Sequence, residues 1–359
     1  MESGSLPWAG LEALARRPPP ARPPLGGASF RERVEDFQVD ELLGFTPEGA
    51  GGHLLLRLRR RDLTTEETAR RLVAWAGLPP KGGSRELGWA GLKDRRAVAA
   101  QWFSLPWPED RPLPAPAELE PLGLELLEAV RHRRKLRRGA LAGNRFRILL
   151  RGVAASREAL EERLQDLARG GFPNYFGEQR FGRANLQRAA ALLLEGRPVR
   201  DRFRRGLYLS AARAALFNAV LARRVEAEAW GRLLPGDVLM PEGSRGRFRD
   251  DGSDGALARR VAAGELHPAG PLWGRGGLRP AAEAGALEEA ALAPWRSWRE
   301  ALERAGLDRD LRPFRALPRE LAWEWPAPGE LLLSFRLPRG AFATALLREL
   351  VALRGPERP

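Results

Sequence analysis

Strand-like runs interleaved with helices occupy this chain from Ser29 to about residue 170, mostly helical texture follows from Phe172, and strand character returns in Leu331-Leu332-Leu333-Ser334-Phe335-Arg336-Leu337. A chain whose end rejoins the texture of its beginning builds one discontinuous domain with its middle inserted. Before the switch, Leu54, Leu56 and Leu58 alternate with Leu55, Arg57 and Arg59, as in a half-buried strand. Thr64 and Glu67 form a capping box for a helix with Ala69, Leu72, Val73 and Ala76 on its apolar stripe and Gly77 as its stop. Leu122 to Val130 reads as a strand, and Asn144 to Leu150 as another with Phe146, Ile148 and Leu150 on one face. A helix over Ser156 to Ala168 then ends at Gly170-Gly171. After the switch, helices are expected over Ser210 to Trp230, Trp295 to Ala305 and Ala345 to Leu353, with 241–285 as surface loops. Residues 1–27, rich in proline, read as an extended lead-in. The fold class is therefore α+β.

One stretch stands out chemically, Leu87 to Leu105. An apolar run broken by glycines leads into Lys93-Asp94-Arg95-Arg96, and a second apolar run ends in Gln101-Trp102-Phe103. A single carboxylate among three cations stays ionised and sits where polyanions bind. Asp94 is the leading catalytic candidate, although an acid flanked by bases is in most proteins a surface ion pair worth ~0–1 kcal/mol.

Charge and composition narrow the partners. The net charge is +14, and all but three of the 60 basic residues are arginine, the side chain that grips phosphate in bidentate fashion and stacks on bases. Arg131 to Arg138 carries six formal cations in eight residues and is a candidate RNA contact, against the blander reading of a solvated face. With no cysteine, thiolate catalysis and zinc-thiolate sites are excluded, and His53, His132 and His267 lack ligand spacing, so no metal site is expected. No run reaches the roughly 18 apolar residues of a membrane span, and nothing resembles a leader, so a cytoplasmic, non-membrane protein is expected.

Two longer stretches carry more information than any short motif: Gly91-Leu92-Lys93-Asp94-Arg95-Arg96-Ala97 with Gln101-Trp102, and Pro173-Asn174-Tyr175-Phe176-Gly177-Glu178-Gln179-Arg180-Phe181-Gly182. Together with Glu35-Asp36-Phe37, Gly143-Asn144-Arg145-Phe146, Leu209 to Arg213, Phe342-Ala343-Thr344 and Arg348-Glu349-Leu350, they resemble the TruD family of tRNA pseudouridine synthases. The resemblance implies a mixed-sheet pseudouridine synthase catalytic domain, 28–170 with 317–359, interrupted by a family-specific α+β insertion over 171–316. It implies isomerisation of uridine to pseudouridine at position 13 of the tRNA D-arm, without metal or organic cofactor, by a protein expected to act as a monomer. It assigns the nucleophile to Asp94, the aromatic against the target uracil to Phe146, and neighbouring pocket positions to Phe37, Asn144 and Phe342. Arg31 matches a basic position that is often lysine in the family; an arginine there is bulkier and reaches differently, and its pairing with Asp94 is left open. Val34 replaces a usual proline, which alters a turn and not the chemistry.

The reaction is consistent with this inventory. Breaking the C1′–N1 bond, turning the base and joining C1′ to C5 involves no net redox change or hydrolysis, and it needs one ionised carboxylate, a flipped base and apolar walls that hold the detached uracil. On pattern alone Phe37, Phe146 and Phe342 read as core residues, and the loop at Asn174 to Gly182 as a structural one with RNA nearby. The alternatives are a non-catalytic RNA-binding or RNA-folding factor, which would not need Asp94, and a hydrolytic base-removing enzyme, which would release free base.

Overall fold

The structure, a computed structural model, describes residues 9–79, 83–252 and 255–355; positions 1–8 of the expected lead-in and the last four residues lie outside it. The described chain forms two compact units, one of 26–156, 318–340 and the stretch from 352 onward, the other of the segment up to 25 with 157–317 and 341–351. Both units are discontinuous in sequence, with boundaries of compactness at 156 and 318 on the sheet side. The helix Arg157–Gly170 and the segment 341–351 belong to the second, mostly helical unit.

The first unit is built on ten strands: β1 Gly27–Phe30, β2 Phe37–Leu43, β3 His53–Arg61, β4 Gly88–Trp89, β5 Val98–Pro106, β6 Leu124–His132, β7 Leu141–Arg151, β8 Arg319–Glu324, β9 Leu331–Pro338 and β10 Ala352–Arg354. Their order is β8–β9–β7–β2–β5–β3–β6, with β1 joining β7 and β10, and β4 joining β5. β2 runs parallel to β5 and β1 parallel to β10, whereas the other pairs are antiparallel, which makes the sheet mixed and the fold α+β. The returning strand β9 lies against β7, pairing Phe335 with Phe146 and Leu337 with Asn144. That approach requires a glycine at 143, because a Cβ there would stand 2.2 Å from the Leu337 carbonyl oxygen.

Cross-strand register puts Phe37, Val39 and Glu41 of β2, Asn144, Phe146 and Ile148 of β7, Gln101 of β5, and Leu58 and Arg60 of β3 on one face. The helix Thr65–Trp75 covers part of that face, packing Ala69, Leu72 and Val73 on Leu54, Leu56, Leu58 and Phe103. Its capping box is as expected: Glu67 N donates to Thr64 Oγ1 and Thr64 N to Glu67 Oε2. β3 is not the half-buried strand expected, because Leu55 is also fully buried, against Trp102 and Leu136 on the opposite face.

The second unit centres on the helix Arg202–Glu226, longer at its start than expected because Asp201 caps it by accepting from Phe203 N and Arg204 N. Residues 241–285 are not loops alone. Val238–Pro241, Phe248–Arg249, Leu266–Leu272 and Asp310–Pro313 form a four-stranded sheet. Pro268 and Pro271 disguise the buried strand Leu266–Leu272, since proline seldom sits inside a sheet. The lead-in is also not wholly extended: Ala9–Arg16 is a helix with Leu11 and Ala15 buried, and it ends before the prolines. The last helix is only Ala343–Arg348, because residues 352–354 pair with β1 instead.

Within this unit Glu349 is buried and accepts twice from Ala21 N, which clamps the proline-rich segment. Burial pushes its carboxyl from the ordinary 4.5 up to about 7, against the pull of the Ala21 and Arg22 amides. The folded state therefore keeps a proton that the unfolded chain has released. The stability this confers is complete below pH 4.5 and is lost as pH rises to 7. Denaturant unfolding of wild type across that window should lose roughly 3 kcal/mol that Glu349→Gln does not lose.

Candidate active site

Asp94 lies in the loop between β4 and β5, and its expected neighbours in sequence turn elsewhere. Lys93 Nζ is 2.5 Å from Glu41 Oε2, Arg95 reaches toward Asp62 and Glu67 at 3.6 Å, and Arg96 donates to the Glu32 carbonyl. A cation 63 residues upstream takes their place: Arg31 Nη2 is 2.5 Å from Asp94 Oδ2. Arg31 has φ +60, a left-handed backbone conformation that is uncommon for a side chain of its size. It stands three residues before the turn Val34–Asp36, where Arg33 N donates to Asp36 and Arg151 grips the buried Asp36 carboxylate at 2.8–3.2 Å. Asp36 of the Glu35-Asp36-Phe37 motif is accordingly structural, and Val34 sits inside this turn.

The guanidinium of Arg31 lies 3.8 Å from the Phe37 ring centroid and 4.9 Å from that of Phe30. Phe37 in turn meets Phe146 at 5.9 Å, and Phe146 meets Phe335 at 5.4 Å. The face thus brings together Arg31, Phe37, Asp94 and Phe146, a carboxylate and a cation at the edge of an aromatic cluster. Asn144, one step along β7 on the same face, is half-buried, and its Oδ1 has no hydrogen-bond partner among the described residues. Leu92, two residues from Asp94, is 55% exposed, unusual for leucine. Phe342 belongs to the other compact unit, where its ring meets Phe176 at 6.1 Å.

What holds the loop is a buried polar network that the sequence reading left without a role. Lys93 N donates to Thr65 Oγ1 at 3.0 Å, Gln101 Nε2 donates to the Gly91 carbonyl at 2.7 Å, and Thr65 Oγ1 donates to Gln101 Oε1 at 3.1 Å. Arg60 Nη2 lies 3.3–3.5 Å from Thr65 Oγ1, the Lys93 carbonyl and Gln101 Oε1. Thr65, Gln101, Arg60 and Glu41 are essentially fully buried. Burial pushes the Arg60 guanidinium down to about 10, with Glu66, Asp94 and other acids resisting, so it remains a cation at neutral pH. The signal was available: Arg60 continues the Leu54, Leu56, Leu58 parity and Glu41 continues Phe37 and Val39, and a charge at a core parity position marks a buried network.

Two further stretches singled out in the sequence can be placed. The run Arg131 to Arg138 is partly turned inward, with Arg131 donating to the Pro108 and Arg111 carbonyls, Lys135 to the Arg85 carbonyl, and Arg138 lying 4.3 Å from the Trp89 ring. In the helical unit the loop from Asn174 is structural. Asn174, Tyr175, Phe176 and Phe181 are buried, Phe176 N and O pair with the Asn218 amide, and Arg312 donates to the Asn174 carbonyl.

The Lys93–Glu41 pair gives the network a direct test. Glu41→Gln leaves Lys93 buried without its counter-charge and should cost about 3 kcal/mol in denaturant unfolding, whereas the double change Glu41→Leu with Lys93→Met should recover most of it.

A family profile described as tRNA pseudouridine synthase D (TruD) matches residues 21–202 and 199–350. A tRNA pseudouridine synthase D of Nitrosococcus oceani is 45% identical over 332 residues, 92% of each chain, and one of Methylococcus capsulatus is 46% identical over 324 residues, 90% of each. The crystal structure of a TruD chain from Methanosarcina mazei superposes with a TM-score of 0.68 over 95% of this chain and 97% of that one; at 21% identity this likeness speaks for the fold. Matches at this identity over nearly the full length of both chains leave one conclusion, that the chain belongs to the TruD family of tRNA pseudouridine synthases.

Proposed function

We propose that the protein isomerises uridine to pseudouridine in tRNA, at position 13 of the D-arm, with Asp94 as the group that attacks the flipped nucleotide. The observation that carries this reading is the Arg31–Asp94 pair beside the Phe37 and Phe146 rings. The guanidinium fixes one carboxylate oxygen beside the rings between which the detached base would turn. In the proposed course the carboxylate engages the sugar or base, or takes the C2′ proton, and the C1′–N1 bond breaks. The detached uracil turns between aromatic and apolar walls and rejoins C1′ through C5, which then gives up its hydrogen. Atoms balance within the nucleotide, so neither an oxidant nor a hydrolytic water enters the scheme.

Phe146 and Phe37 supply the walls in this reading, and the base must first leave its stack at a cost of a few kcal/mol. Asn144 suits recognition: an amide with an unpartnered buried oxygen can accept from uracil N3–H while its NH2 donates to O4. The part given to Phe342 rests on the family pattern alone. The same holds for the functional division into a catalytic domain, 28–170 with 317–359, and an insertion over 171–316. No helix among the described residues is long and apolar enough to cross a membrane, and we place the protein in the cytoplasm as a monomer that needs no cofactor.

The test is incubation with an unmodified tRNA carrying uridine at position 13, mapped by carbodiimide-dependent primer-extension stops. Wild type should produce a stop there, and Asp94→Asn should abolish it while retaining tRNA affinity within about threefold. Turnover by Asp94→Asn would sink the nucleophile assignment.

A further inference from the structure

The helical unit carries a second cationic surface apart from the Arg131 to Arg138 run. Between Arg183 and Arg205 the chain has seven arginines against two acids, Glu195 and Asp201. The fold makes this stretch concave, with Arg188, Arg197, Arg200 and Arg204 lining a cavity of about 400 Å³ together with Val199 and Tyr208. Alongside, between Arg202 and Arg204, stands Phe203, 67% exposed and the most exposed large apolar side chain among the described residues.

These cations are poorly used inside the protein. Arg197 meets Glu195 at 2.8 Å, Arg204 reaches Asp201 only at 3.8 Å, Arg188 donates to the Tyr208 hydroxyl at 3.2 Å, and among the described residues Arg200, Arg202 and Arg205 make no ion pair. Exposed pairs of this kind yield readily to a better anion. Three of the arginines also occupy the first turn of a long helix, where cations oppose the helix dipole. Asp201 already takes the amides of Phe203 and Arg204, so affinity for an anion here would come from the guanidiniums and not from the helix end. A second basic cavity, lined by Arg22, Arg163 and Arg315, offers a contrast. Its cations are committed to Asp166, to the Pro23 and Glu349 carbonyls, and to Val261 and Leu266.

We infer that the groove of Arg188, Arg197, Arg200 and Arg204 binds the tRNA backbone, and that Phe203 stacks on an unpaired base beside it. Guanidiniums converging in a concavity meet phosphate oxygens, and an exposed aromatic next to them is the usual companion for single-stranded RNA. The inference rests on tRNA being the substrate.

The test is fluorescence anisotropy of labelled, unmodified tRNA with the full chain, titrated at salt from 50 to 300 mM (roughly the span over which counterion release is read). The triple change Arg188→Gln, Arg200→Gln, Arg204→Gln should weaken binding roughly tenfold at 0.15 M salt and flatten the slope of log Kd against log salt by about 2. Phe203→Ala should weaken binding roughly tenfold without changing that slope. A charge-matched control, Arg245→Gln, Arg249→Gln, Arg259→Gln on the same unit, should leave the slope within about 0.5 of wild type. Equal effects of the two triple changes would overturn the groove, as would an unaltered Phe203→Ala affinity. Pseudouridine mapping of wild type, run in parallel, separates the two ideas: modification with an unaffected groove variant rejects only the groove, whereas no binding and no modification by wild type rejects the substrate and the groove together.

Discussion

The grip of buried polar groups on residues 91–93 is the constraint on which the candidate site depends. Between Trp89 and Val98 the chain has no strand or helix to place Asp94. Its position is set by Gln101 holding the Gly91 carbonyl, Thr65 holding the Lys93 amide, and Glu41 holding the Lys93 side chain. Each of these groups sits on an element whose own place is fixed by apolar packing: Gln101 on β5, Glu41 on β2, Thr65 at the start of the helix over Leu54, Leu56 and Leu58. Packing therefore sets three anchors, and the anchors set the loop. A buried ion pair contributes little net stability over apolar residues of the same volume. What Lys93–Glu41 adds is geometry, because an ammonium held on a buried carboxylate leaves the next residue few places to go.

The strand β7 and the capped helix were legible because each rests on a local pattern, whereas the mixed sheet was expected from the family resemblance. The period-two run in β7 and the Thr64–Glu67 box have meanings that tertiary contacts seldom reverse. Asp94 was visible as a lone acid among bases, but the local pattern pointed to Lys93, Arg95 and Arg96, whereas the fold brings Arg31 to it from the segment before β2. The same limit hid the strand Leu266–Leu272, whose prolines break the local signal while both neighbouring strands still pair with it. It hid the helix Ala9–Arg16 as well, whose small apolar face only the helical unit's core makes worth burying.

Net charge is a weaker guide to RNA contact here than it first looks. Four of the arginines are part of the interior of the helical unit: Arg224 pairs with Asp237, Arg309 with Glu288, Arg315 meets His267 and the Val261 carbonyl, and Arg312 is buried against Asn174. Burial pushes Arg312 down to about 9, which still leaves it charged at neutral pH. A lysine, starting about two units lower, would approach neutrality under the same penalty. Arginine can thus serve as an interior cross-link to carbonyls where lysine would lose its charge, and only the arginines outside such links remain for an anionic partner.

Arginine and lysine differ at position 31 as well. A lysine there can place an ammonium on Asp94, but it has only one charge centre to place. Arginine spreads its charge over a guanidinium: its central carbon lies 3.8 Å from the Phe37 ring centroid while a terminal nitrogen reaches Asp94 Oδ2 at 2.5 Å. One side chain is therefore held by two interactions of different kind, a cation–π contact and a charge-assisted hydrogen bond. The left-handed backbone at Arg31 is the strain this arrangement tolerates, and the Arg151–Asp36 clamp five residues on keeps the turn from relaxing it. The bulk that distinguishes arginine from lysine is accommodated over Phe37, so in this chain the aromatic wall and the carboxylate's partner are set by a single residue.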